Sequence, residues 1–141
     1  MFYIPFILNI LFSSICAYFS LFETEYLTAN FLPLPPLLIK LIGGGLFLFA
    51  GFIIFALLNQ KKLFWCTVVI ALDVLWVITV IPLALFLKDI LGPEGIKLVM
   101  SINLVVAFMA ILQFIALFSR RHLFEVHWPA FKKFVNLRKK R

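Results

Sequence analysis

The run Val69-Ile70-Ala71-Leu72-Asp73-Val74-Leu75-Trp76-Val77-Ile78 sets one carboxylate in the middle of an otherwise apolar segment. A charge at such a position needs neighbours that hold it, so the run is read together with the rest of the chain. Of the 141 residues, 65% are hydrophobic and 13% charged, with a mean hydropathy of +1.13. These values lie far outside the range of soluble domains. Lipid is the solvent they fit. A hydrocarbon core about 30 Å thick takes roughly 20 apolar residues per helix, which leaves room for about four spans in one membrane domain.

The expected fold is an all-α, four-helix transmembrane bundle over residues 1–119, with spans near 2–22, 37–58, 63–87 and 96–119. A basic tail follows over 120–141. The first span carries Asn9, Ser13, Cys16 and Ser20 on one narrow face, at spacings of four, three and four. Small, weakly polar side chains of this kind let helices approach closely in lipid. It lacks a basic leader and a small-x-small cleavage site, so it reads as a retained span.

Glu23, Thr24, Glu25 and Tyr26 end that span, and the connection runs through Asn30 to the prolines at Pro33, Pro35 and Pro36. The second span contains Gly43, Gly44, Gly45 and Gly51, with Gly44 and Gly51 on one face. Close packing against a neighbouring helix or a lipid chain is the expected use of these glycines, since no nucleotide-binding pattern surrounds them. Pro82 predicts a mild kink in the third span. Gly92 and Pro93 mark the turn into the fourth, where Asn103, Ala107, Ala110 and Gln113 share a broad face.

The formal charge is +7, and its distribution is that of a membrane protein rather than of a nucleic-acid binder. With the Lys61-Lys62 hairpin and the tail on one side, that side holds Lys61, Lys62, Arg120, Arg121, Lys132, Lys133, Arg138, Lys139, Lys140 and Arg141. The other side has Lys40, Lys88 and Lys97 beside Glu23, Glu25, Asp89 and Glu94. The positive-inside rule then puts both termini in the cytoplasm, and the expected location is a bacterial inner membrane. Phe124, Trp128, Phe131 and Val135 recur at helical spacing in the tail, which reads as an amphipathic interfacial helix broken near Trp128 by Pro129. Arg120, Arg121, Lys132, Lys133, Arg138, Lys139, Lys140 and Arg141 are its candidates for anionic lipid headgroups.

Depth links Asp73 to two other polar residues. At 1.5 Å per residue, Asn9, Asp73 and Gln113 lie about 10, 15 and 9 Å from the cytoplasmic ends of their spans. They are therefore candidates for one polar layer. No Lys, Arg or His occurs in the spans at that level, so the expected state is a neutral Asp73 bonded to the carboxamide of Asn9 or Gln113. Two uses of Asp73 remain open: a fastener between helices, or a proton- or cation-responsive group in a transport path. Trp76, one turn on, reads either as the cover of a pocket at Asp73 or as core filler.

Enzyme chemistry finds little support. Asp73 has no second carboxylate, and His122 and His127 lie five apart with no nucleophile nearby. Cys16 and Cys66 form no CxxC pair. No catalytic residue, metal site or cofactor is expected.

The prolines before the second span, Leu38-Ile39-Lys40-Leu41-Ile42-Gly43-Gly44-Gly45, the Leu72-to-Val77 segment and Ala110-Ile111-Leu112-Gln113 together resemble small four-helix bacterial membrane proteins, loosely the DoxX-like group. The resemblance covers about residues 32–121 and implies a fold more than an activity. It makes Asp73, Trp76 and Gln113 the positions of interest, while the early arginine and glycines of the strict pattern are absent. The leading expectation is a non-enzymatic accessory or structural component that binds a membrane protein partner, a second copy of itself, or lipid through the second span. The alternative is a small transporter or channel built on Asp73.

Overall fold

A computed structural model describes the backbone of residues 2–59 and 63–138, and the side chains of 2–59 and 64–119. The described residues are almost wholly helical: α1 (Ile4–Phe22), α2 (Thr24–Asn30), α3 (Pro36–Leu58), α4 (Leu63–Phe86) and α5 (Lys88–Arg138). Four stretches, Ile4–Phe22, Pro36–Leu58, Phe64–Phe86 and Lys88–Ser119, are long and apolar enough to cross a bilayer.

Large apolar side chains such as Leu48, Leu58, Phe86, Leu104 and Phe118 cover the outside of the bundle. In water that surface would be prohibitive, and in hydrocarbon it costs nothing. The molecule is a four-helix, multi-pass membrane protein.

Helices α1, α3, α4 and α5 form a ring in chain order. The tightest pairings are α1 with α3 and α4 with α5, while α3–α4 and α1–α5 touch less. The bundle is thus two helical pairs laid against each other, and α1 and α4 lie on its diagonal. Each helix turns a stripe inward: Phe6, Asn9, Ser13 and Ala17 on α1; Ile39, Gly43, Ala50 and Ile53 on α3; Val69, Asp73, Val80 and Ala84 on α4; Asn103, Val106, Ala110 and Gln113 on α5. The steps of three, four and seven residues are those of one helical face.

Three local features depart from the sequence reading. The segment after Glu23 is a short helix rather than a loop, since the chain bends only at Glu23 (φ −106°, ψ 29°) and then resumes. Thr24 Oγ1 donates to the Ser20 carbonyl at 2.7 Å, carrying the hydrogen bonding across the bend, and Thr28 Oγ1 donates to the Thr24 carbonyl within α2, also at 2.7 Å. The fourth span begins earlier than residue 96, at Lys88, and kinks at Gly92 (φ 67°, ψ 176°). Glycine alone adopts that backbone readily, having no Cβ.

The third departure concerns the tail, which was expected to break near Trp128. The backbone stays helical through Pro129 to Arg138 in one piece with the fourth span. A helix interior tolerates proline at the cost of one hydrogen bond and some bending. The tail side chains Arg120, Arg121, Lys132, Lys133 and Arg138, and all of Lys139, Lys140 and Arg141, lie outside the described residues, as does the Lys61-Lys62 hairpin.

Candidate functional site

The polar layer assembles at the centre of the bundle. Asn9 Nδ2 donates to Asp73 Oδ2 at 2.7 Å, joining the diagonal helices α1 and α4. Ser13, one turn along α1, donates from Oγ to Asn9 Oδ1 at 3.2 Å and so fixes the orientation of the amide. Asp73 retains only 3% of its surface and Asn9 1%. Gln113, from α5, is completely buried and adjoins the same carboxyl group. Neither Gln113 Nε2 nor Oε1 has a protein hydrogen-bond partner at ordinary geometry. The three residues expected to share a level therefore do share it, and Asn9 is the one in direct bonding contact with Asp73.

The layer is closed on one side. Phe6, Ile53, Ala56, Cys66, Val69 and Ile70 form an apolar cluster, with Leu117 packed against it. Phe6 precedes Asn9 by three residues, Val69 precedes Asp73 by four, and Leu117 follows Gln113 by four. Because α5 runs antiparallel to α1 and α4, all three offsets point the same way. One helical turn below the polar layer, toward the end carrying the α3–α4 connection, the bundle is a dry plug. Burying a carboxyl group in such surroundings demands satisfied hydrogen bonds or a neutral form, and at this level the spans contain no Lys, Arg or His to neutralise it.

On the other side, Ala110 lies one turn from Gln113, and Asn103 about 15 Å along the same stripe. Asn103 Nδ2 makes a long contact of 3.4 Å with the Val77 carbonyl, and its Oδ1 is buried without a partner. Between α4 and α5 an open groove of about 310 Å³ is lined by Ile70, Val74, Val77, Ala107, Ala110 and Phe114, among others. Its lining is apolar and it opens outward, so it is a lipid-facing seam.

Trp76 does not join the layer. It is 38% exposed on the outside of α4, so it neither covers a pocket at Asp73 nor fills the core. Three residues turn a helix by about 300°, and the remaining 60° carries the indole from the bundle centre to its lipid face.

The glycines divide in the same way. A Cβ added at Gly43 would meet Ser20 Cβ at 2.7 Å, Leu21 Cγ at 3.0 Å and the Ala17 carbonyl oxygen at 3.2 Å, so Gly43 is where α3 presses on α1. Gly44, Gly45 and Gly51 have no described atom within 4 Å of that position, so no described helix of the chain presses on them there. A run of adjacent glycines points in several directions 100° apart, and only one faces inward.

Sequence reasoning missed Gly95. Its missing Cβ leaves room for the Phe31 carbonyl oxygen, which would otherwise collide with it, and for Leu91 Cβ. A glycine one turn into a span, with Gly92 before it, was the available signal. Among the described residues no cluster of His, Cys, Asp or Glu could hold a metal ion, and Cys16 and Cys66 are not joined.

These features define a polytopic membrane protein with a closed core and, among the described residues, one buried carboxyl group. In comparisons with known proteins, no family model, no curated protein and no solved structure matches the chain.

Proposed function

We propose that this chain is a small, non-enzymatic accessory or structural component of a bacterial inner membrane, and that it engages a membrane partner through the outer glycine face of α3. The observation that carries this reading is the open space at Gly44, Gly45 and Gly51. Glycine in a helix interior is destabilising by about 0.5–1 kcal/mol relative to alanine. Three glycines that serve no contact inside the subunit fit a face shaped for a helix from outside it, because small residues are what let transmembrane backbones approach. The basic tail suits the cytoplasmic headgroup region and would hold the bundle at the inner leaflet.

The test is native mass spectrometry of the full chain released from its own membrane. Wild type should carry a defined second subunit, a copy of itself or another membrane protein. Gly44→Leu and Gly51→Leu, whose added Cβ has no described atom within 4 Å, should release it as a folded monomer. Identical masses for wild type and both variants would remove the basis of the proposal.

A second reading, a small transporter or channel with Asp73 as its proton- or cation-responsive group, is favoured by one observation: the unpartnered Gln113 amide beside Asp73. Intramembrane ionisable residues often mark ion paths. Reconstituted protein should then support a pH-dependent flux that Asp73→Asn abolishes, and a flux-free wild type would count against it.

A further inference from the structure

The hydrogen-bonding capacity of the polar layer does not balance within the protein. Ser13 spends its one donor on Asn9 Oδ1, and Asn9 spends one amide hydrogen on Asp73 Oδ2. Gln113 brings two donors and an acceptor oxygen and lies wholly buried against Asp73, yet neither of its polar atoms reaches a protein partner at ordinary hydrogen-bonding geometry. An amide buried without partners is costly, and the loss is greater in a membrane, where no bulk water lies near.

A proton on Asp73 does not close the account. A neutral Asp73 could pair with Gln113 directly, its hydroxyl donating to Oε1 and its carbonyl oxygen accepting from Nε2, but neither Gln113 atom lies at that geometry. A monovalent cation between Asp73 and Gln113 Oε1 fits no better. It would set a positive charge beside the amide hydrogens and still leave them unpaired.

A water molecule has the required complement. It accepts from Gln113 Nε2 and donates to an Asp73 oxygen and to a second acceptor, and it does so for either protonation state of the carboxyl group. Buried waters make about three hydrogen bonds of this kind to otherwise unsatisfied polar groups, whereas apolar cavities stay dry. We propose that one buried water molecule bridges the Gln113 amide and the Asp73 carboxyl group, so that the centre of the bundle is a hydration site sealed by the Phe6–Val69–Leu117 plug. The bridge ties α5 to the Asn9–Asp73 bond and makes one network of three helices. It stands whether or not α3 recruits a partner, since the two features lie on different helices and faces.

The chain contains two glutamines, Gln60 and Gln113, so glutamine labelled with ¹⁵N at the side-chain amide gives a two-signal spectrum. The experiment is solid-state NMR of the labelled full chain in lipid bilayers. Magnetisation is transferred from water to the side-chain amides, and the Gln113 signal is assigned as the one that remains in Gln60→Asn. Transfer to the Gln113 amide protons is expected in wild type and lost in Asp73→Leu. A Gln113 amide that receives no magnetisation from water in wild type overturns the proposal without reference to any variant. Undiminished transfer in a folded Asp73→Leu protein also overturns it, because the water would then be held without the carboxyl group.

Discussion

Asn9 Nδ2 donates to Asp73 Oδ2 at 2.7 Å between α1 and α4, two helices that lie diagonally opposite and scarcely approach each other elsewhere. The bond therefore connects the α1–α3 pair to the α4–α5 pair rather than reinforcing a contact already made by packing. Interhelical hydrogen bonds in membranes average about 0.6 kcal/mol and reach roughly 1.7 kcal/mol, and both partners of this one are buried.

That position makes a double-mutant cycle informative. Asp73→Leu and Asn9→Leu should each destabilise the bundle by about 1–3 kcal/mol, because each strands a buried polar partner. The double variant should cost less than the two single costs added together. Reversible unfolding in mixed micelles, followed by helix signal, measures all four corners. Strict additivity would show that the two side chains do not act as a pair.

The glycines of α3 should separate cleanly by stability. Gly43→Ala forces its Cβ against Ser20 and the Ala17 carbonyl and should destabilise by about 1–3 kcal/mol. Gly51→Ala meets nothing in the subunit and should be neutral or stabilising by up to about 1 kcal/mol. Thermal unfolding of the isolated chain in detergent reads both, apart from any partner.

A third contrast concerns the entry to α5. Gly92→Ala imposes a Cβ on a backbone at φ 67°, ψ 176°, a region populated almost only by glycine, at an expected cost of about 1–3 kcal/mol. Gly95→Ala should be at least as damaging, because its Cβ collides with a main-chain oxygen, that of Phe31, and not with a movable side chain. By contrast, Glu94→Gln breaks the Lys97–Glu94 pair, 2.7 Å long and well exposed, and should leave the unfolding transition where it is.

Orientation has its own test. With an even number of spans, the chain ends share a side, and the basic residues of the hairpin and tail predict that this side is the cytoplasm. A fluorescent protein fused after Arg141 should fluoresce, and a periplasm-dependent phosphatase at the same position should be inactive. The reverse result would invert the assignment.

The spans were readable because hydropathy is a property of each segment alone, and Asn9, Asp73 and Gln113 stood out because polar residues are rare in such segments. Depth counting then put them at one level, where the structure has them. Which helix pairs with which was not readable. In lipid the outer and inner apolar faces have the same composition, so periodicity gives no direction, as Trp76 and Gly51 illustrate by facing outward. The Gly95–Phe31 approach is equally silent in sequence, since it depends on where a distant carbonyl comes to rest. Pro129 misled for another reason: proline weakens a helix without ending it when the rest of the helix continues on both sides.

The division into two helical pairs, α1 with α3 and α4 with α5, has a consequence for how the protein is assembled in time. The ribosome delivers the first pair complete before the second has entered the membrane, and each pair leaves half of the polar layer without its counterpart. Asn9 and Ser13 arrive first, and Asp73 and Gln113 come later with the same unmet need. The hydrogen bond that finally joins them acts as an address label: two hairpins adrift among other greasy helices have one feature by which to recognise each other. If the chain were cut between α3 and α4 and the halves made separately, that feature is what would let them find the right match.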